Sequence, residues 1–123
     1  MTALARLGGI SLDSSDPDQL ARFYQDFLEL ERVWDTPDFV ALSGAGIYLT
    51  TFRIDDHRPP DWPTGDVPKQ MHLELAVKEL EPAEQKALAL GARKAATQPA
   101  PDRFRVLIDP AGHPFCLTTM IPD

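Results

Sequence analysis

A chain of 123 residues with 43% hydrophobic and 25% charged side chains has the composition of an ordinary globular domain, long enough to bury a core without staples. Nineteen acids against twelve bases leave a net charge of −7, which argues against a nucleic-acid partner and would let an acidic cavity favour a cation. Its apolar runs are too short to cross a bilayer, its first residues lack a signal-peptide pattern, and its single cysteine, Cys116, excludes an internal disulfide, so the expectation is a cytoplasmic protein without a membrane partner.

Residues 8–14 alternate Ile10 and Leu12 against Gly9, Ser11 and Asp13, the period of a strand. A helix follows. Asp16 is a good N-cap, Pro17 suits the first helical position and Gln19 completes the capping-box spacing. Leu20, Phe23, Tyr24, Phe27 and Leu28 then recur at helical spacing and form one apolar face. Three strands are predicted next, at 31–35, 39–43 and 47–54, the last two joined by the turn Ser43-Gly-Ala-Gly46.

Residues 55–69 hold four prolines and one glycine, which predicts a linker without regular structure. After it the order repeats. Residues 71–78 alternate Met71, Leu73, Leu75 and Val77 against His72, Glu74 and Ala76, and 82–90 read as a helix with the mediocre N-cap Glu81 and Gly91 at its end. Strands are expected at 93–97, 103–109 and 114–120. The chain is thus expected to be one α+β domain over 1–123, built from two βαβββ modules at 4–54 and 70–121 joined by the linker, an internal duplication.

Four phrases carry a family resemblance: Asp16 to Tyr24, which runs from Asp-Pro into a helix ending Phe-Tyr; the His-bearing strand that opens the second half; Leu90-Gly-Ala-Arg93; and Asp109-Pro-Ala-Gly112 before the last strand. In this order the chain resembles the vicinal oxygen chelate superfamily, the glyoxalase, bleomycin-resistance and extradiol-dioxygenase group, and within it the glyoxalase-like subgroup. The resemblance implies a curved, partly open mixed sheet around a cavity, with the helices outside, and members that are often homodimers. It also implies, for metal-using members, one ligand on the first and one on the fourth strand of each module. Those positions fall here on Gly9, Tyr48, His72 and Cys116. Glycine offers no ligand and a phenol is a poor one near neutral pH. His72 and Cys116, joined by Glu74, would be a sparse soft-metal set. The expectation is therefore no cofactor, with a divalent metal possible but disfavoured.

His72 has two readings: a strand histidine bonded to its neighbours, or a cavity group acting as a general base or orienting a ligand. Glu74 would fix its tautomer, or else be a solvated carboxylate. Cys116 reads as a small buried hydrophobe, with a Cys–His pair as the lesser alternative. Superimposed on the family's architecture, Ser11, Asp13, Tyr48, Thr50, Phe52, Cys116, Thr118 and Met120 face inward with His72 and Glu74, and Trp34 covers the cavity mouth. Trp62, in the linker, is a lid or a loop anchor. Two functions survive: metal-free binding or sequestration of an aromatic or cationic small molecule, and a lyase, isomerase or dioxygenase using His72 as its catalytic residue, with or without a divalent metal. A homodimer is expected, because an exposed sheet edge gains by pairing with its copy.

Overall fold

The computed structural model of the chain describes residues 3–122, which divide between residues 57 and 58 into two compact units. In the first, β1 (Gly9–Ser14) leads into α1 (Pro17–Leu28), followed by β2 (Glu31–Asp35), β3 (Phe39–Ser43) and β4 (Tyr48–Arg53). The sheet order is β1-β4-β3-β2, with β1 parallel to β4 and the other pairs antiparallel. Helix α1 starts as its sequence dictates: the Asp16 carboxylate accepts from the Gln19 N–H at 3.1 Å and Pro17 occupies the first turn. Leu20, Ala21, Phe23 and Tyr24 are buried on the sheet side, against a face that includes the buried Val40, Leu42 and Leu49. Thr51, on that same face, stays buried because its hydroxyl donates to the Pro17 carbonyl at 2.8 Å.

The second unit repeats this plan with β5 (Leu73–Ala76), α2 (Leu80–Ala89), β6 (Arg93–Lys94), β7 (Phe104–Ile108) and β8 (Pro114–Thr118). Its sheet order, β5-β8-β7-β6, is the first unit's order again, with the same parallel outer pair and antiparallel remainder. Two four-stranded mixed sheets, each with one helix, give the α+β fold expected from the sequence. The turn before β8 is fixed by Asp109, whose Oδ1 accepts from the Ala111 and His113 N–H groups, both at 3.0 Å. Gly112 sits there at φ +93°, where a Cβ would collide with Pro59.

Several boundaries differ from the sequence reading. Helix α2 begins at Leu80 rather than residue 82, and its N-cap is Glu79, without a side-chain cap bond, rather than Glu81. The two added residues include Leu80, which is buried, a gain that offsets the poor cap. The strand expected over 71–78 forms only at Leu73–Ala76, because its pairing with β8 begins at Leu73↔Phe115. Met71 therefore has no sheet beneath it and is 80% exposed rather than under the helix. The last strand ends at Thr118, and β6 is two residues long where five were expected. The linker is ordered in part. Asp61 closes a loop by accepting from the Val67 N–H on its carboxylate at 3.0 Å and pairing as an isolated bridge with Pro68.

Candidate functional site

Each sheet has one face under its helix and one face away from it. In the first unit the second face carries Gly9, Ser11 and Asp13 from β1, with Tyr48, Thr50 and Phe52 opposite them on β4 in register. The Ser11 and Thr50 hydroxyls hydrogen-bond at 2.5 Å. Phe52 stacks on Phe39 at 5.2 Å between ring centres, and Phe39 on Trp34 at 6.0 Å. Trp34 lies on β2 and is 61% exposed, the end of an aromatic row. A Cβ at Gly9 would meet the Tyr48 carbonyl oxygen at 3.0 Å, so a ligating side chain there would press on β4.

In the second unit, β5, β7 and β8 supply the corresponding face. Glu74 pairs with Cys116 in register, and Cys116 with Val106. Strands β7 and β8, the residues leading into β5, the loop at Pro99 and the folded linker border a cavity of about 220 Å³, which Glu74 on β5 does not line. Its walls are mainly apolar, from Trp62, Pro99, Phe104, Val106 and Pro114, and its polar groups are Lys69, His72 and Cys116. Thr118 is buried at 2% exposure and absent from the lining; its hydroxyl accepts from the Met120 N–H at 3.1 Å. Met120 itself lies past the strand and is 58% exposed.

Lys69, His72 and Glu74 form a hydrogen-bonded chain. The Lys69 ammonium is 3.2 Å from His72 Nδ1, and His72 Nε2 is 2.7 Å from Glu74 Oε1. An ammonium can only donate, so Nδ1 is the acceptor and Nε2 carries the proton that Glu74 accepts. The same ammonium lies 5.5 Å from the centre of the Trp62 ring, within cation–π range. Cys116 is pushed up to about 11, chiefly by burial and then by the Glu74 charge, with Lys69 opposing. That shift favours a protonated thiol at neutral pH, which argues against the Cys–His nucleophile considered from the sequence.

Donor atoms of His72, Glu74 and Cys116 lie within 4.8 Å of one another, a spacing that suits chelation. The protons do not suit it. A metal ion at His72 Nε2 would have to send that proton to Nδ1, where the Lys69 ammonium already donates. It would also have to ionise a thiol whose pKa is about 11 and approach a fixed positive charge. Chelation by these three residues would therefore require the imidazole proton to move and the thiol to ionise on binding.

Sequence reasoning missed Lys69, Pro99 and Phe104 as cavity residues. Lys69 and Pro99 lie in loops, where periodicity is silent, and Phe104 drew no notice on its own strand. The one available signal was a tryptophan, Trp62, amid prolines and seven residues before Lys69. His113, in the turn before β8, is half-buried.

The family model for the glyoxalase-like domain matches residues 9–118. No functionally curated protein matches the chain in sequence. Among solved structures, a glyoxalase-related enzyme from Fulvimarina pelagi is 20% identical with a TM-score of 0.71, over 94% of this chain and 88% of that one. The fosfomycin resistance protein FosX from Listeria monocytogenes is 17% identical with a TM-score of 0.71, over 95% and 92%. The bleomycin-binding protein of Streptomyces verticillus, solved with copper(II)-bleomycin, is 17% identical with a TM-score of 0.61, over 97% and 100%. At these identities the likeness is one of fold. With the family model spanning both repeated units, the chain belongs to the glyoxalase-like domain family, within the vicinal oxygen chelate superfamily.

Proposed function

We propose that the protein binds a small aromatic molecule in the cavity of its second unit without help from a metal ion. The observation that carries this reading is the cavity itself: apolar and aromatic walls with three convergent polar groups, the make-up of a small-molecule site. Pockets for drug-sized ligands run from about 300 Å³ upward, so about 220 Å³ suits a single-ring compound. Fold likeness alone does not decide between binding and catalysis, since the related structures include a lactoylglutathione lyase from Agrobacterium tumefaciens as well as a bleomycin-binding protein. His72 favours binding. Both of its ring nitrogens are engaged, one by Lys69 and one by Glu74, which leaves no lone pair to take a proton from a substrate.

Thermal-shift measurements on chelator-treated protein with phenol, indole, benzoate and benzamide test the reading, because a ligand of the folded state raises the melting point by mass action. At least one single-ring compound should raise it, and added Zn²⁺ should not be needed. His72→Ala should cost ~1 kcal/mol or less in stability, as a half-exposed residue, yet reduce the ligand-induced shift. Unfolding of that variant, with unchanged affinity per folded molecule, would make His72 a packing residue. A shift seen only with metal present would reverse the metal-free assignment.

A further inference from the structure

Of the residues lining the second unit's cavity, Lys69 alone carries a formal charge. Its ammonium is held from two sides, by the Trp62 ring at 5.5 Å and by His72 Nδ1 at 3.2 Å. Neither partner is an anion. The nearest carboxylate in this chain of contacts, Glu74, is reached only through the imidazole. A cation fixed at an apolar wall without a direct counter-ion is a preformed half of an ion pair. Its position was set before any ligand arrives, because the ring face and the tautomer-locked imidazole hold it there.

At Cys116 the balance is different. The Glu74 charge acts on the thiol more strongly than the Lys69 charge does, so the cavity is polarised: positive at the Trp62–Lys69 end, and not positive at Cys116. The acidic surplus that made a cationic ligand plausible is also elsewhere. Residues 1–57 carry ten acids against four bases, while 58–123 carry nine against eight.

We propose that this cavity selects a small aromatic carboxylate, its oxygens on the Lys69 ammonium and its ring against Trp62 and Phe104. The proposal rests on the reading of the cavity as a ligand site, and names the ligand class for it. Lys69 is the selecting group, and His72 with Glu74 are positioning residues that act through it.

Isothermal titration of the full chain with benzoate, benzamide and benzylamine tests it, since the three share a ring and differ in head-group charge. Benzoate should bind about tenfold more tightly than benzamide, the margin of one charge-assisted hydrogen bond, and benzylamine more weakly still. Lys69→Gln should bring benzoate down to the benzamide level while leaving benzamide within about twofold, and Lys69→Arg should keep the preference for benzoate. Raising salt should weaken benzoate and spare benzamide. Equal binding of the three, or benzylamine the tightest, would overturn the Lys69 assignment and leave the cavity reading standing. Loss of benzamide along with benzoate in a Lys69→Gln protein that melts normally would also overturn it, making Lys69 a wall of the cavity. No binding of any of the three would bring down both the proposal and the cavity reading beneath it.

Discussion

Cys116 is only 7% exposed, and its thiol sits between two opposed charges with burial weighing against ionisation. The pKa of about 11 has a direct kinetic consequence. The thiolate is the reactive form. At pH 8 its population should be roughly a hundredfold below that of a thiol at the ordinary cysteine value, before any steric protection is counted. Alkylation by iodoacetamide should therefore be slow at pH 8 and climb about tenfold per pH unit up to pH 10. A rate that levels off near pH 8 would mean that Lys69 or His72 stabilises the thiolate after all, and would reopen nucleophilic chemistry. His72 presents the opposite case. Its alternation with Glu74 was plain in the sequence, and so was the chance that Glu74 fixes its tautomer. What the sequence could not carry was Lys69, because the reach of a loop lysine depends on how the loop folds. That folding rests on Asp61 bonding six residues ahead to Val67.

At the scale of elements, amphipathic patterning identified both helices and the duplicated order, because burial of one face is what specifies register. It failed where the pattern itself was atypical. Arg105 lies on β7 between Phe104 and Val106, on the face that α2 covers, and Glu84 on α2 is buried beneath it. A strand face with an arginine in it does not read as a core face. The two side chains make the arrangement possible together: Arg105 Nη1 is 3.5 Å from Glu84 Oε1 and 2.5 Å from Glu81 Oε2, and Lys94 Nζ is 3.5 Å from Glu84 Oε2. Arg105→Met should destabilise by ~2–3 kcal/mol in urea denaturation, since it leaves a buried carboxylate with only Lys94. Adding Glu84→Gln should recover much of that loss. Acid should narrow the gap between wild type and Arg105→Met. The hydrogen bond from Arg105 holds the Glu81 carboxyl below the usual glutamate range. A depressed carboxylate contributes stability above its unfolded pKa and loses it as pH falls through the folded value. A penalty that is the same at pH 7 and pH 3 would mean that lost packing of the arginine stem, not charge, is what the substitution measures.

For the whole molecule, the described surface leaves several large aromatic and aliphatic side chains in water, and where they cluster they mark candidate interaction surfaces. In the first unit Trp34, Tyr48 and Phe52 are all exposed on one sheet face, with Val33 beside them at the β2 bulge. In the second unit Met71 stands clear of the sheet, and Met120 and Ile121 follow β8 out into solvent. Each sheet also ends in strands hydrogen-bonded on one side only, β1 and β2 in one and β5 and β6 in the other, and unpaired edges favour association. Against this stands the net charge of −7, which repels copies at low ionic strength and is screened over about 10 Å at 0.1 M salt. The apolar gain is local and the repulsion is screened, so pairing should win at moderate salt. The protein is accordingly expected to form a homodimer of closed two-fold symmetry. Light scattering at micromolar concentration in 0.15 M salt should return twice the mass of one chain, with dissociation favoured as salt is lowered. Trp34→Lys should shift the equilibrium toward monomer while leaving the melting transition of the fold in place, because this exposed side chain contributes one stacking contact within its own unit. A monomer at tens of micromolar in 0.15 M salt would show that the aromatic row is tolerated in water or reserved for a ligand, and would remove the case for self-association.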